Sequence, residues 1–565
     1  MNLLNPILGA HGNKMSKSID PEDIFIDSSN IPTFNVHQLE GQIEKPLSSF
    51  VGTFLFSVLA FVFFSFAIKL YNMQIINNDV YLAKAQKNIL RSTPIFAHRG
   101  TISDRNGILL AWNESTEEAL EIPRREYIKE DGFSHLLGYV TYPKKDSSGV
   151  FWQDEYIGKD GVEKSYQEIL AGKKGEKLVA VSALHQVENE NITVDSIDGK
   201  NLKLTIDADV QNKLYENIKS LAHSAPFNAG AGVIMDIHTG EILALTNYPE
   251  YDNNLMVNAS SEEDNNQIAS DLLDKNNKFL NRAVSGLFTP GSTVKPFIAI
   301  AALMENIIDP YKEIFSSGSL VIKNKYGGPD TIFRDWKAHG YVNMRDALAV
   351  SSDEYFYQVG GGFENQKGLG IARIDEYAKR FGFASSTGID LPGENIGVIP
   401  TPEWKKKMFK EGNWLLGDTY HTSIGQYGFQ LTPLELVRAD ASIANGGYLV
   451  TPHVLSDLNT TSQNIYLQEK DLKVIREGMR QGVLSGVTKA LNVDGVKVAA
   501  KSGTAELGVD RLMVNSWISG FFPYDNPKYA FVVIMEKGSR FNLTGAVFAM
   551  RSTLEYLRDY TTYTK

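Results

Sequence analysis

The longest apolar stretch of this chain lies near its start, where residues 46–68 carry no charge. Residues 50–68 are mostly Phe, Leu, Val and Ala, and a run of this length can cross a bilayer as one helix. A cleaved signal peptide is a poorer interpretation, because the stretch is too long, begins too late and lacks a small-residue cleavage site after it. The pattern predicts a transmembrane anchor at residues 46–69, preceded by a polar tail at residues 1–45.

After the anchor, residues 70–200 alternate short apolar segments with polar turns, which predicts an extended, strand-rich pedestal domain. The pattern changes near residues 202–206. Residues 232–245 then form two β-type runs around His238-Thr239-Gly240, which predicts a hairpin. We therefore predict that a second domain spans residues 201–565.

A buried helix is predicted in this second domain, starting at or near Ser292. Turn residues 288–291 precede it, and the apolar residues 297–304 follow. Pro296 would lie in the first turn, where its missing N–H costs little. Residues three apart share a helix face, with Cβ atoms about 5–6 Å apart, so the Lys295 amine can reach the Ser292 hydroxyl.

The Ser292 and Lys295 pair is a candidate for nucleophilic catalysis. A serine hydroxyl attacks well only after a neighbour removes its proton, and a lysine can do so only if its pKa is depressed. Burial against the apolar helix and a second nearby cation would both lower the pKa of Lys295. The helix N-terminus adds partial positive charge where negative charge develops during attack.

A second lysine motif, Lys501-Ser502-Gly503-Thr504, follows a β-type run at residues 496–500. Two further β-type runs, at residues 517–522 and 529–535, are separated by turn residues. They predict a hairpin beside the strand that carries the motif.

The remaining motifs would complete the site. Lys501 would supply a fixed positive charge, and Gly503 would let a substrate backbone approach the strand. The backbone N–H of Thr504 could join that of Ser292 in an oxyanion hole. Between these motifs in the chain, Ser351-Ser352-Asp353 lies at a predicted helix-to-loop corner, where Ser351 and Asp353 would complete a proton relay.

The motifs carry more weight together than singly. A lone Ser-x-x-Lys is expected about once or twice by chance in a chain of 565 residues. Three motifs in this order, each in a suitable local context, favour one serine acyl-transfer site. The predicted catalytic residues are Ser292, Lys295, Ser351, Asp353 and Lys501, and the predicted substrate-binding residues are Ser502, Gly503 and Thr504.

Composition narrows the classes of function. The chain has a formal net charge of -11 and no cysteine. Without cysteine there is no disulfide framework, iron–sulfur cluster or thiol nucleophile. Because the net charge is negative, the sequence offers no basic surface for nucleic acid, and no nucleic-acid partner is predicted.

These motifs resemble those of the class B penicillin-binding proteins, which are bacterial peptidoglycan transpeptidases, and within that class the elongation-type subgroup, penicillin-binding protein 2. The resemblance rests on residues 290–296 (Pro-Gly-Ser-Thr-Val-Lys-Pro), on Ser351-Ser352-Asp353 followed by Tyr-Phe-Tyr, and on Lys501-Ser502-Gly503-Thr504. It covers about residues 46–560. Further similar segments lie at residues 99–107, 161–166, 388–394, 417–425 and 431–435.

The resemblance implies an α+β fold, in which a transpeptidase domain with an antiparallel sheet flanked by helices stands on a pedestal similar to the penicillin-binding protein dimerisation domain. It implies peptidoglycan stem peptides as substrates during cell elongation, a serine acyl-enzyme, and inhibition by β-lactam antibiotics. It also implies a single-pass protein of the bacterial inner membrane, with a cytoplasmic tail, an outer catalytic domain and a membrane-embedded glycan polymerase as partner. The charges around the anchor do not by themselves support this orientation.

Two features depart from the wider family pattern. Asp353 stands where Asn is more common, although the elongation-type subgroup is similar here, and its carboxylate would favour the charged forms of two nearby lysines. Some relatives in this subgroup bind zinc near the middle motif through acidic, His and Cys ligands. Asp335 and His339 are present here without a cysteine, and structural zinc normally takes four protein ligands. No metal or other cofactor is therefore predicted, with a three-ligand zinc site as the less favoured alternative.

Other functions stay open on the sequence alone. A catalytically silent envelope scaffold or β-lactam sensor would keep the motifs without turnover, whereas a D,D-carboxypeptidase or a β-lactamase would use water as acceptor. The pedestal and the anchor argue against both hydrolases. Residues 14–18, Lys-Met-Ser-Lys-Ser, resemble a nucleotide loop of class I aminoacyl-tRNA synthetases, but the chain shows no pattern for the fold that such a loop needs.

Overall fold

A computed structural model describes residues 49–82, 90–114, 122–147, 150–181, 187–409 and 412–564. The predicted tail at residues 1–45, with its Lys-Met-Ser-Lys-Ser motif, lies outside them. The described residues fall into two compact units. One holds those up to Arg91 together with Val181, and the other holds those of residues 92–180 and 187–564.

The first unit contains the predicted apolar helix. Its α-helix spans Ser49–Tyr71 and continues into a π-helical turn at Asn72–Ile76. The 27 residues Phe50–Ile76 contain an 18-residue stretch with a mean hydropathy of 2.4, and none of that stretch is buried. At 1.5 Å per residue they rise about 40 Å, more than the hydrocarbon core of a bilayer. In the described part of the chain, this is the one helix long and apolar enough to cross a membrane.

The predicted strand-rich pedestal is present at the start of the second unit. A four-stranded sheet has the order Leu202–Lys203, Ile102–Ser103, Leu109–Glu114 and Arg124–Tyr127. The other strands of this part of the chain are Leu90–Ile95, Val140–Thr141, Lys144–Lys145, Phe151–Gln153, Ile157–Gly158, Gly175–Val181 and Val187–Val194, and its short helices are Ser134–Leu137, Gly161–Ser165 and Gln167–Leu170.

A buried ion cluster holds three pedestal segments together. Arg99 Nε and Arg125 Nε donate to the two oxygens of Glu163 at 2.5 and 2.8 Å, and these side chains are at most 1% exposed. The Tyr127 hydroxyl donates to the same carboxylate at 3.2 Å, and Arg125 donates to the Gly100 carbonyl at 3.0 Å. Burial alone would raise the pKa of Glu163, but the two guanidinium groups outweigh it and hold that pKa below its usual value.

A five-stranded antiparallel sheet forms the centre of the C-terminal part of the second unit. Its strand order is Ile242–Tyr248, Ala229–Asp236, Tyr529–Ser539, Met513–Phe522 and Ala499–Leu507. Both predicted hairpins are present. The strand Ala499–Leu507, which carries the third motif and is called the motif strand below, lies at the edge of this sheet.

Neighbouring residues of the central strand face two different cores. Val533 belongs to the core formed with the helices Ala208–Ser224 and Ala546–Tyr560, whereas Val532 belongs to the core formed with the helix Pro433–Ala444. This follows from the two-residue period of a strand, which sends successive side chains to opposite faces. Helices therefore cover both faces of the sheet, and the predicted α+β fold is confirmed.

The remaining elements bring the three motifs together. The helix Glu469–Ser485 packs on the motif strand and also on the helix Met344–Val350, which leads into the middle motif. The other helices are Asn253–Asn258, Glu262–Leu272, Lys295–Met304, Asp353–Gly361, Gly370–Arg380, Pro402–Phe409 and Leu416–Ser423, and the short strands are Ile314–Ser316, Ser319–Ile322, Thr331–Arg334, Gly340–Val342, Tyr448–Val450 and Ser462–Asn464.

Candidate active site

Ser292 lies in a tight turn at the start of a buried helix. Residues Gly291–Val294 form a 3-10 turn, and the α-helix Lys295–Met304 follows. The predicted helix is therefore present, with a 3-10 rather than an α-helical first turn. Pro296 occupies the start of the α-helix, as predicted. The Lys295 side chain is completely buried, whereas Ser292 stays half-buried at the open end of the turn.

The motif strand lies unusually close to this turn. A Cβ atom added to Gly503 would lie 2.6 Å from the Pro290 carbonyl oxygen and 2.8 Å from Thr293 Cγ2. One added to Gly291, whose φ is +55°, would lie 2.8 Å from the Thr504 carbonyl oxygen. Only glycine permits these approaches. Gly503 thus has a packing role against the turn that carries Ser292, besides the role toward substrate predicted for it.

The middle motif lies at a sharp corner between two helices. The helix Met344–Val350 ends at Ser351, whose φ of +57° is in the left-handed region. The helix Asp353–Gly361 then begins, with the Ser352 hydroxyl accepting the Tyr355 N–H at 3.3 Å. A non-glycine residue in the left-handed region costs free energy, so the surroundings have to hold Ser351 in this conformation.

Lys295 joins the first motif to the middle motif. Its Nζ atom donates to the Ser351 carbonyl oxygen at 2.8 Å, to Asp353 Oδ1 at 2.6 Å and, more weakly, to Ser351 Oγ at 3.3 Å. The ammonium group also lies 5.4 Å from the centre of the Phe356 ring. These three partners take all three N–H donors of a charged lysine. A charged Lys295 therefore has no N–H donor left for Ser292.

Lys501 joins the third motif to the middle motif. Its Nζ atom donates to Ser351 Oγ and to the Ser502 carbonyl oxygen, each at 2.8 Å. Burial lowers the pKa of Lys501 well below its ordinary value, the Lys295 cation lowers it further, and the Asp353 carboxylate acts in the opposite direction. The sequence predicted a fixed charge on Lys501, whereas the structure gives this lysine a depressed pKa.

The predicted site residues form one contiguous arrangement in the structure. Ser351 Oγ lies between the two lysine amines, and Asp353 pairs with one of them. Ser292 is one turn from Lys295. Thr504 is exposed on the motif strand next to Gly291. The two amines, the Ser351 hydroxyl and the Asp353 carboxylate are therefore in contact, and Ser292 lies one helical turn before Lys295 in the chain. A serine, amines and a bridging hydroxyl are the groups that acyl transfer uses.

The two candidate zinc ligands do not form a metal-binding set. His339 Nε2 lies 3.5 Å from Asp335 Oδ1. The other Asp335 oxygen accepts hydrogen bonds from Ser352 Oγ and the Glu354 N–H. In the described ranges, no group of three or more His, Cys, Asp or Glu side chains could hold a metal ion. These residues do not fit the four-ligand pattern of structural zinc.

Sequence analysis missed Trp336, which contacts the middle motif. Its Nε1 atom donates to the Ser351 carbonyl oxygen at 3.3 Å. The one available signal was an aromatic residue beside Asp335 in a polar segment, which is weak by itself. Gln426 lies in residues 425–428, a segment that the sequence leaves open as cleft lining or a plain turn, and its Nε2 atom lies 3.5 Å from the Thr504 carbonyl oxygen.

Comparison with known families gives two matches along the chain. The model of the penicillin binding protein transpeptidase domain matches residues 230–550, more than half of the 565 residues. That of the penicillin-binding protein dimerisation domain matches residues 118–204. The domain bounds predicted from the sequence stay predictions.

Individual relatives agree with these matches. The peptidoglycan D,D-transpeptidase MrdA of Haemophilus influenzae is 30% identical, over 91% of this chain and 91% of its own. The solved penicillin-binding protein 2 of Helicobacter pylori, in complex with MreC, is 26% identical with a TM-score of 0.68 and covers 83% of this chain and 99% of that one. Penicillin-binding protein 2 of Pseudomonas aeruginosa, in complex with WCK 5153, is 28% identical with a TM-score of 0.68, covering 83% and 97%.

Proposed function

The chain belongs to the penicillin-binding proteins with a transpeptidase domain, and from this premise we propose that it is an elongation-type peptidoglycan D,D-transpeptidase with Ser292 as its nucleophile. The family assignment confirms the resemblance drawn from the three motifs. The observation that carries the assignment of roles is the cluster of Lys295, Ser351, Asp353 and Lys501 one turn from Ser292.

In the acylation step, the Ser292 oxygen attacks the carbonyl carbon of the penultimate D-alanine of a stem peptide. An uncharged Lys295 accepts the hydroxyl proton as the C–O bond forms, and the N–H groups of Ser292 and Thr504 bind the oxyanion. The C–N bond to the terminal D-alanine then breaks. Its nitrogen takes the Ser351 hydroxyl proton, and Ser351 regains a proton from Lys295. The terminal D-alanine leaves as an amine.

The two lysines would share their protons through Ser351. Ser351 Oγ is 2.8 Å from Lys501 and 3.3 Å from Lys295, so one hydroxyl can pass a proton between the amines. The pKa of Lys501 is depressed, so this lysine loses its proton at a lower pH than an exposed lysine does. Once it is uncharged, Lys501 can accept the Lys295 proton through Ser351 before Ser292 attacks.

The stem peptide would bind along the motif strand. This strand is the edge of the sheet, so its outer backbone groups can pair with an extended peptide. Lys501 and the exposed Thr504 would hold the D-alanine end, with Ser502 and Gly503 beneath the peptide backbone. This arrangement would place the scissile carbonyl beside Ser292.

In the second step, an amine from a neighbouring stem peptide attacks the acyl-enzyme carbonyl. The new C–N bond forms the cross-link, and the released Ser292 oxygen regains its proton. A β-lactam would acylate the same serine, and its ring nitrogen would stay tethered after the ring opens. This tethered group explains why such drugs would block the acceptor.

The proposed substrate indicates where in the cell the enzyme works and with which partner. We place the chain in the bacterial inner membrane, spanned once by the helix Phe50–Ile76, with the catalytic part outside and a membrane-embedded glycan polymerase of the elongation machinery as partner. The related penicillin-binding protein 2 of Helicobacter pylori is found in complex with MreC. That complex supports an assembly role for this chain as well.

Labelling with a fluorescent penicillin tests the nucleophile. The wild type should form a covalent adduct, Ser292→Ala should form none, and Ser485→Ala, a surface serine at the end of a helix, should label like the wild type. Peptide mapping should place the adduct on the fragment that contains Ser292. An adduct on another residue, or full labelling of Ser292→Ala, would contradict the assignment.

Product analysis separates the transferase from its alternatives. With a stem pentapeptide substrate and an amine acceptor, the wild type should release D-alanine and form the cross-linked product. Release without cross-linking, at any acceptor concentration, would indicate a carboxypeptidase. Penicillin labelling without release of D-alanine would indicate a sensor or a scaffold.

A further inference from the structure

The segment at residues 314–342, called the hairpin segment below, lies against the middle motif. Its strand Ile314–Ser316 pairs with Gly340–Val342, and its strand Ser319–Ile322 pairs with Thr331–Arg334. Residues 335–339 connect the two pairs. The roles proposed above for the three motifs leave this whole segment without a function.

Asp335 ties the hairpin segment to both neighbours of Asp353. Its Oδ2 atom accepts the Ser352 hydroxyl at 2.8 Å and the Glu354 N–H at 2.9 Å, and its Oδ1 atom accepts the Trp336 N–H at 2.8 Å. The Asp335 side chain is completely buried. A carboxylate with several short hydrogen bonds from fixed donors is a strong local anchor.

Three further hydrogen bonds run between the same parts of the chain. The Glu354 carboxylate accepts the Gly318 N–H at 2.9 Å and the Ser317 hydroxyl at 3.3 Å. The Trp336 indole N–H donates to the Ser351 carbonyl oxygen at 3.3 Å, the same oxygen that accepts from Lys295. Ser351, Ser352 and Glu354 are therefore each held from the hairpin segment.

The geometry of the corner explains why such anchoring matters. Ser351 is in the left-handed region, and Asp353 begins a helix two residues later. Fixing Ser352 and Glu354 on either side determines where the Asp353 carboxylate points, which is at Lys295 with a distance of 2.6 Å. Side chains that position a reacting group tolerate displacements of about 0.5 Å before function suffers.

We infer that Asp335 is a positioning residue for acyl transfer and that it holds the Ser351–Asp353 corner through hydrogen bonds, without a metal ion. This inference rests on the proposed function. A metal would compete for the Asp335 oxygens that these donors occupy. His339 Nε2 lies 3.5 Å from Asp335 Oδ1, and in the described part of the chain no third His, Cys, Asp or Glu side chain joins them in a group that could hold a metal ion.

Acylation kinetics of the full-length chain in detergent test this inference. Penicillin is varied to separate its noncovalent binding from the acylation rate constant at saturation. Asp335→Ala should lower that rate constant about 100-fold, as a displacement of about 1 Å does, and change binding less than about threefold. Asp335→Asn keeps one acceptor oxygen, so its acylation rate constant should be about tenfold higher than that of Asp335→Ala.

Ser352→Ala removes one of the same hydrogen bonds from the other side. If both act through the corner, the double variant Asp335→Ala/Ser352→Ala should be no slower than Asp335→Ala within about threefold, rather than showing the product of the two effects. Asp330→Asn, in the exposed loop of the same hairpin, is the matched control and should acylate like the wild type.

The outcomes separate this inference from the proposed function. A wild type that fails to acylate overturns the proposed function itself. A wild type that acylates, with Asp335→Ala equally fast, overturns the positioning role. If Asp335→Ala does not fold, the acylation rate constants of Asp335→Asn and Ser352→Ala test the positioning role instead. The melting temperature of each variant is measured to show that it is folded. Treatment with a chelator should change neither rate nor melting temperature, and a loss that zinc restores would show a metal site and overturn the inference.

Discussion

Two clusters of basic and acidic side chains in this molecule can be compared. One lies in the pedestal and has a structural role, and the other lies in the active site, where we propose a catalytic role. In the pedestal, Glu163 lies between Arg99 and Arg125. In the active site, the Ser351 hydroxyl lies between Lys295 and Lys501, and Asp353 pairs with Lys295. Each cluster combines two basic side chains with one carboxylate, and among these six side chains Asp353 is the one with substantial exposure, at 20%. The clusters differ in the basic residue, which is arginine in the pedestal and lysine in the active site.

Arginine keeps its charge and lysine can lose it. The guanidinium groups of the pedestal cluster contact the carboxylate with fixed, planar donors, which suits a structural tie. The active-site amines can release protons, and burial together with a second cation has already lowered the pKa of Lys501. Of the four cations, only the lysines can therefore act as bases.

The largest expected effect comes from exchanging the cations between the clusters. Lys295→Arg keeps a cation beside Asp353 but cannot accept the Ser292 proton, so acylation should fall on the order of 10⁴-fold with the melting temperature nearly unchanged. The measurement is the second-order rate constant for fluorescent penicillin, together with thermal unfolding of the same sample.

The matched exchange is Arg125→Lys in the pedestal. A lysine cannot contact Glu163 and the Gly100 carbonyl together as the guanidinium does, so stability should fall by about 1–3 kcal/mol. Acylation by the folded protein should be unchanged.

The outcome that would contradict the first of these two predictions is fast acylation by Lys295→Arg. If this variant acylates within about tenfold of the wild type, Lys295 is not the base.

The second effect comes from neutralising the two carboxylates. Glu163→Gln leaves two buried guanidinium groups without a counter-ion and should lower the free energy of unfolding by about 3–5 kcal/mol. The measurement is thermal and denaturant unfolding of the full chain. Asp353→Asn, whose side chain is 20% exposed, should cost stability less than about 1 kcal/mol but slow acylation by about 10–100-fold. Equal stability losses in the two variants would contradict the division of roles.

The sequence alone predicted those parts of the site that depend on residues close together in the chain. Ser292 and Lys295 are three residues apart, so a predicted helix start was enough to bring them together. The motif strand and its hairpin followed from short apolar β-type runs and the turn between them. The apolar helix was predictable for the same reason, whereas the α+β fold was expected from the resemblance of the motifs to those of a known family.

Other parts depend on contacts between distant segments. The need for glycine at position 503 comes from the Pro290 carbonyl, more than 200 residues earlier in the chain. The depressed pKa of Lys501 depends on burial and on the distance to Lys295, which no spacing reveals. Asp335 drew attention only as a possible metal ligand, because its partners Ser352 and Glu354 become visible only when the hairpin segment is folded onto the corner.

The smallest expected effect, and the one that tests the comparison most closely, is the pH at which each cluster stops working. The pKa of Glu163 lies below its usual value, so the unfolded chain binds more protons than the folded one only in acid. The stability contributed by this cluster should be complete above the unfolded value of about 4.3 and be lost as the pH falls through the folded pKa.

Acylation needs an uncharged amine, so it should be lost as the pH falls through the depressed pKa of Lys501, below the ordinary lysine value of about 10.4. Because the Asp353 carboxylate raises the pKa of Lys501, Asp353→Asn should move the acid limb of the second-order acylation rate to lower pH, whereas Glu163→Gln should leave it in place. A shift to higher pH in Asp353→Asn would mean that the limb belongs to a different group and that Lys501 is not what titrates.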